Sequence, residues 1–266
     1  IYFLFIIFII SGLFKHSVIN SYLKTKLPKV SVVIAARNEE ENLPYLLKDL
    51  INQNYPPNKF EIIIVNDRST DKTSEILKKI TKEFDFIKKI NIIEKSSNMT
   101  PKKHALNKGI MFSSGKIIIS TDADCRVGKN WVLSMTKSTL KSGGITIGFS
   151  KINAVSYFDK YQLFDFLGII TANAGACGWG FFWSGTGQNL AYFKEDYKKI
   201  NGFDPVKNEI SGDDMYLVQS ISKLKTGFIN IDPLSFVNTM PCKTLKEFIN
   251  QRIRWASNSK KNIYSN

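Results

Sequence analysis

The chain has 266 residues, 43% of them apolar and 12% aromatic, enough to bury the core of one large domain or two small ones and too apolar for a disordered tail. Its 16 glycines, 8 prolines and 3 widely spaced cysteines exclude collagen-like, low-complexity and disulfide-framework classes, and Cys125, Cys177 and Cys242 are expected to be free thiols in a reducing compartment. Lys and Arg number 37 against 23 Asp and Glu, and the resulting +14 points to a polyanionic partner: nucleic acid, an acidic membrane surface or a phosphorylated small molecule.

Residues Ile1 to Phe14 carry no charged side chain. As a helix they would extend about 21 Å, short of the roughly 30 Å hydrocarbon core, so they are expected to be the end of a transmembrane helix that begins before the sequence, with a buried core helix as the alternative. Lys15, Lys24, Lys26 and Lys29 follow and, by the positive-inside tendency, place the rest in the cytoplasm. This divides the chain into a partial transmembrane helix over 1–20 and a folded domain over 28–266, its two halves meeting between residues 125 and 126.

Short β-branched runs then alternate with helical stretches. Val30 to Ala36, Glu61 to Val65, Ile90 to Glu94 and Lys116 to Thr121 are predicted strands, and Leu43 to Gln53, Thr73 to Phe84 and Lys102 to Phe112 predicted helices. The pattern predicts an α/β fold with a mostly parallel sheet flanked by helices, in which ligands bind beyond the carboxyl ends of the strands. The glycine- and aromatic-rich second half is expected to supply loops and helices that complete the site. Within it, Tyr157 to Ile170 is either an amphipathic helix at a membrane interface or an ordinary core-facing one.

The expected strand ends are polar. The first strand runs into Arg37-Asn38-Glu39, the second into Asn66-Asp67-Arg68 and the fourth into Asp122-Ala123-Asp124. Neither GxGxxG after the first strand nor GxxxxGK[ST] occurs, so the usual dinucleotide fingerprint and the P-loop are unsupported. Asp122 and Asp124, two residues apart in extended backbone, are expected to project to one side and to hold a hard divalent cation, which suits a nucleoside diphosphate ligand; a solvated acidic turn is the bland alternative. Ser211-Gly212-Asp213-Asp214 precedes an apolar-periodic run, placing two acids at a helix N-terminus. Simple capping would explain Asp213, whereas Asp214 is a candidate general base. Thr244-Leu245-Lys246-Glu247 is a predicted capping box, opening a helix on which Gln251, Arg254 and Trp255 share one face.

Together these residues resemble the family 2 inverting glycosyltransferases of GT-A fold, especially the membrane-bound synthase-like branch. The resemblance covers about Pro28 to Lys261 and rests on five elements in order: Val32 to Glu39, Val65 to Asp71, Asp122-Ala123-Asp124, Gly212-Asp213-Asp214 and the QxxRW pattern of Gln251 to Trp255. The resemblance implies that Arg37, Asn38, Glu39 and Asp67 form the nucleoside side of the donor site. Lys102, in a KxxxLN segment, would bind the donor. Asp122 would lie near the ribose or sugar, and Asp124, with Asp122, would bind Mg²⁺ or Mn²⁺. Asp214 would be the base beside Asp213, where the family often has Glu-Asp. Gln251, Arg254 and Trp255 would close over the diphosphate and acceptor end, and Gly185 to Asn189 would lie in the acceptor floor.

The function so implied is transfer of a sugar, with a UDP-sugar as the first choice of donor, to a glycan or lipid-linked hydroxyl, by an enzyme held at the membrane and facing the cytoplasm. A sugar-nucleotide nucleotidyltransferase is the alternative enzyme, though its glycine-rich signature is absent. A non-catalytic basic binding or scaffold protein is the other alternative. The lysines are scattered and show no recognition helix, so no nucleic-acid partner is expected.

Overall fold

The computed structural model describes residues 2–17 and 26–257, so Ile1, Lys24 and everything after 257, including Lys261, lie outside the described residues. A first helix, α1 (Tyr2–Leu13), precedes an alternating series: β1 (Val30–Ala36), α2 (Leu43–Ile51), β2 (Phe60–Asp67), α3 (Thr73–Glu83), β3 (Ile87–Ile92), α4 (Pro101–Phe112) and β4 (Ile117–Ser120). β1 pairs parallel with β2 and β4, and β2 pairs parallel with β3. Alternate residues of these strands feed two apolar layers. Val30, Val32, Ile34, Ile62 and Ile64 pack under α2 and α3, while Val33, Ile63 and Val65 pack with Leu106 and Ile110 of α4 on the other side. Each fully buried aliphatic side chain contributes about 1.5–3 kcal/mol, so both faces are held and the strands' carboxyl ends are fixed along one edge.

The second half departs from its expected loops and helices by contributing strands. After β5 (Arg126–Val127) and α5 (Trp131–Ser142) come β6 (Ile145–Gly148), β7 (Ser150–Ile152), α6 (Tyr157–Gly178), β8 (Leu190–Phe193), α7 (Lys194–Lys199), α8 (Asp213–Leu224), β9 (Gly227–Asn230), β10 (Val237–Thr239) and α9 (Leu245–Ser257). The main sheet has the order β3-β2-β1-β4-β8-β6-β9, and β5, β10 and β7 make a smaller sheet. Strands of two to four residues leave too little alternation to detect in sequence. The sheet is mostly parallel, as expected, with β8 antiparallel to both neighbours. That reversal matters for the site: pairing of Leu190 with Ser120 brings the loop before β8 to the carboxyl end of β4.

The third strand begins three residues earlier than expected, at Ile87, because Ile87 pairs with Ile62 despite the Lys88-Lys89 doublet. β3 is an edge strand, where lysines are tolerated and deter further pairing. α1 packs on the C-terminal part of α6. A Cβ at Gly12 would meet backbone atoms of Gly175 within 3 Å, so the two helices approach as closely as glycine allows. His16 Nε2 hydrogen-bonds to the Ala174 carbonyl at 2.7 Å, and Trp179 Nε1 donates to the Phe8 carbonyl at 3.0 Å. Tyr2, Phe3, Leu4 and Ile7 face outward. Among the described residues, no helix is long and apolar enough to cross a membrane. α6 buries Gln162, Phe166 and Ile170 while leaving Tyr157, Tyr161 and Phe164 exposed, so it is core-facing on one side and apolar on the other. Cys125, Cys177 and Cys242 are free thiols.

Candidate active site

The turns after β1 and β2 are laced together. Asn38, in the left-handed region at φ 57°, accepts from Thr70 N at 2.8 Å through Oδ1 and donates its own N–H to Ser69 Oγ at 3.0 Å. Glu39 N donates to Thr73 Oγ1, and Glu40 exchanges bonds with Asp71 and Lys72. Asp67 is 5% exposed and is clasped by both Arg68 Nε and Nη2, at 2.7 and 3.0 Å. Arg37 is exposed just past the strand end. The turns that carry the predicted nucleoside-side residues are therefore joined side by side along one rim.

β4 stops at Ser120, so Asp122-Ala123-Asp124 is not extended as expected but turned, with Cys125 N donating to the Asp122 carbonyl at 3.2 Å. The turn, rather than a strand's alternation, brings the two carboxylates together. Burial first, and then Asp122, push the Asp124 carboxyl above its ordinary range. Burial likewise raises Glu39, with Asp124, Asp122 and Asp71 adding to it against a bond from Asn42. Glu39, Asp122 and Asp124 thus share one acidic pocket, in which Glu39 and Asp124 are raised. Burial also raises the Cys125 thiol, as do Asp122 and Asp124; it stays protonated and donates to Asp124 Oδ1 at 3.7 Å.

Facing this pocket, Lys102 Nζ meets Asp122 Oδ1 at 2.8 Å. Burial opposes its charge, but Asp122, Asp213 and Asp214 outweigh that and raise its pKa. The acid pair opens α8. Gly212, at φ 83°, caps the helix with no side-chain bond, and Asp213 and Asp214 form its first turn, so neither acid is the cap residue. Asp214 Oδ1 accepts from Met215 N at 2.8 Å, and Oδ2 accepts from Gly187 N at 3.1 Å. Burial first, and Asp213 second, lift Asp214 to about 6, despite these donors and Lys102. A carboxylate near 6 suits proton abstraction at neutral pH. A cleft lined by Ser120, Gly187, Asp213, Asp214, Tyr192 and Phe203 opens beside it.

The residues of the QxxRW pattern sit on α9, which packs against α6. Trp255 packs on Phe166 of α6, ring centroids 5.9 Å apart, and Arg252 rather than Arg254 stacks between Phe248 and Trp255, 4.3 Å from each ring. Arg252 pairs with Asp165 and also donates to Gln251 Oε1, while Arg254 is exposed. The structure therefore groups Glu39, Lys102, Asp122, Asp124, Asp213 and Asp214, and sets Gln251, Arg254 and Trp255 on a helix whose contacts run to α6. The predicted capping box is half formed: Thr244 Oγ1 accepts from Glu247 N, but Glu247 accepts from Lys243 N instead of the cap residue.

Two features escaped the sequence reading. One is the Gly187 N–H that fixes Asp214. The other is Asn189, expected in the acceptor floor but fully buried, where it accepts from Trp131 Nε1 at 2.9 Å and donates to the carbonyls of Phe149 and Ser235, both at 2.8 Å. Its polarity holds the second half of the sheet in place.

The sequence profile "Glycosyl transferase family 2" matches residues 31–224, which includes the acid pair and stops before α9. The probable glycosyltransferase YdaM of Bacillus subtilis is 33% identical over 242 residues, 87% of this chain and 55% of the relative. A beta-monoglucosyldiacylglycerol synthase of Nostoc is 40% identical over 108 residues, 40% of this chain and 22% of the relative. The chain thus spans little more than half the length of the longer of these matches. Among solved structures, the Pyrobaculum calidifontis mannosyltransferase PcManGT, in complex with GDP-Man and Mn²⁺, superposes with a TM-score of 0.72 at 18% identity, covering 95% of this chain and 68% of that one. S. aureus TarS with UDP-GlcNAc gives 0.59 at 16% identity, covering 81% and 59%. These neighbours share the α/β GT-A-type fold, and the profile match covers well over half of the sequence. The chain belongs to glycosyl transferase family 2.

Proposed function

We propose that this protein transfers a sugar from a nucleotide-sugar, a UDP-sugar first, to a hydroxyl of a glycan or lipid-linked acceptor, with inversion at the anomeric carbon. The observation that carries the reading is the convergence of Lys102, Asp122, Asp124, Asp213 and Asp214 at the carboxyl edge of the sheet, with Asp214 lifted to about 6 and held by Gly187 N–H. Asp214 takes the proton from the acceptor hydroxyl as its oxygen attacks the anomeric carbon, and the bond to the diphosphate breaks, releasing the nucleoside diphosphate. Lys102 is placed to exchange Asp122 for a diphosphate oxygen, its charge assured by three carboxylates. Gly187 N–H and Met215 N–H orient the base.

The acidic pocket fits a divalent cation: two hard oxygen donors, Asp122 and Asp124, with Asp124 raised by burial first and by Asp122 second. Bound there, Mg²⁺ or Mn²⁺ would supply neutralising charge to the leaving diphosphate. Among the described residues no group of three or more His, Cys, Asp and Glu is placed to hold a metal ion, so the donor's phosphates would have to complete the shell. The reading keeps Arg37, Asn38, Glu39 and Asp67 on the nucleoside side, and Gln251, Arg254 and Trp255 on the diphosphate and acceptor side. It also keeps the membrane as partner and the catalytic domain on the cytoplasmic face. The outward apolar residues of α1 and α6, with Lys15 and Lys160 beside them, and the +14 charge support that placement.

The test is a panel of UDP- and GDP-sugars with Mg²⁺ and Mn²⁺, offered to the full protein in membranes, with nucleoside diphosphate release measured. Release with one donor class is expected. Pyrophosphate release from a nucleoside triphosphate and a sugar phosphate would instead establish the nucleotidyltransferase, and salt-sensitive polynucleotide binding without turnover would establish a non-enzymatic role.

A further inference from the structure

Lys103 follows the site lysine in α4 but points about 100° away around the helix. It is 1% exposed, among the most deeply buried large side chains of the protein. Its Nζ donates to the carbonyl oxygens of Glu209 at 2.5 Å and Ser211 at 3.2 Å. Thr100, just before α4, adds its hydroxyl to the Glu209 carbonyl at 3.1 Å and its N–H to the Lys207 carbonyl at 2.9 Å. The start of α4 therefore grips the segment 207–211, which runs directly into Gly212 and the acid pair. A buried ammonium is costly unless its protons are received, so its hydrogen bonds tie the position of this segment to α4.

We propose that Lys103 is a positioning residue: it locks the segment 207–212 from behind, so that the Asp214 carboxylate is presented to Gly187 N–H and to the cleft. The inference rests on the reading of Asp214 as the base. Lys102 and Lys103 then divide one task, the first facing the acidic pocket across the cleft and the second fixing the loop that carries the base. A methionine at 103 keeps the stem and loses the donors, while an arginine keeps them.

Hydrogen exchange on the full chain, as wild type, Lys103→Met and Lys103→Arg, is the test. In the methionine variant, amides of 207–214 should exchange about tenfold faster while those of β1 and β2 keep their protection, and arginine should restore part of the difference. In UDP release from UDP-glucose with Mn²⁺, kcat should fall about tenfold with KM changed less than about twofold, and the acidic limb of the pH profile should shift. Unchanged protection at 207–214, loosening in step with the sheet, or an unchanged kcat would overturn the proposal. Should wild type release no nucleotide from any sugar donor, the transferase reading fails by itself, and the exchange pattern still decides whether Lys103 holds the loop.

Discussion

The two edges of the main sheet treat the same functional group in opposite ways. At the amino edge, Glu61 is buried, yet it accepts from Ser31 Oγ, Ser114 N and Ser114 Oγ and pairs with Lys88 at 2.6 Å. Burial alone would raise it, but Lys88, Ser31 and Ser114 prevail and hold it down at about 2. At the carboxyl edge, Glu39, Asp124 and Asp214 are all raised, because burial and neighbouring carboxylates outweigh the donors supplied. A satisfied carboxylate stabilises the fold, whereas an under-satisfied one is kept at a cost and is available for a cation or a proton. Function is expected where stability has been given up.

Neutralising Asp214, the proposed base, attacks this contrast hardest. Asp214→Asn should lower turnover by about 10³-fold while sparing nucleotide binding; loss of binding of the same size would make Asp214 a donor contact instead. If Asp214 is the base it must be deprotonated to act, and with its carboxyl raised to about 6 wild-type kcat should fall as pH drops below about 6. Next in size is Glu61→Gln. Glu61 favours the folded state fully above its unfolded pKa, and that contribution is lost as pH falls from about 4.5 toward about 2. At neutral pH the substitution should cost about 3 kcal/mol, lowering Tm by about 5–10 °C with little change in turnover. Lys102→Met should raise KM for the donor about tenfold, since it removes a charge-assisted contact, and, with a neighbouring positive charge gone, it should also move the acidic limb of the kcat profile to higher pH. The smallest effect belongs to Arg252→Ala, which should cost about 1 kcal/mol by breaking the tie from α9 to Asp165 of α6 and removing the cation stacked on Phe248 and Trp255 of α9 itself. Urea unfolding checks this last value, and a larger fall in kcat would draw α9 into the reaction.

Much of the first half was legible because its strands are long, apolar and separated by helices: Val30 to Ala36 was expected and found with the same ends. Sequence order also exposed the acid pair, since Gly212 and the apolar run after it mark a helix start. What stayed hidden depends on contacts between segments distant in the chain. Asp122 and Asp124 face one pocket through a turn that alternation cannot foresee. The Lys102-Lys103 doublet gave no sign that one lysine would meet Asp122 and the other the carbonyls of Glu209 and Ser211. Helical spacing put Gln251, Arg254 and Trp255 on one face but left open what that face meets, and the cation stacked there is Arg252.

The thermal midpoint of Asp214→Asn at pH 7, measured beside wild type and Glu61→Gln, tests the contrast between the two edges most directly. A raised carboxylate costs stability once ionised, so the account predicts a Tm equal to or above wild type for Asp214→Asn with turnover lost, while Glu61→Gln melts lower. A fall in Tm for Asp214→Asn as large as that of Glu61→Gln would show Asp214 to be a structural carboxylate and contradict its assignment as the base.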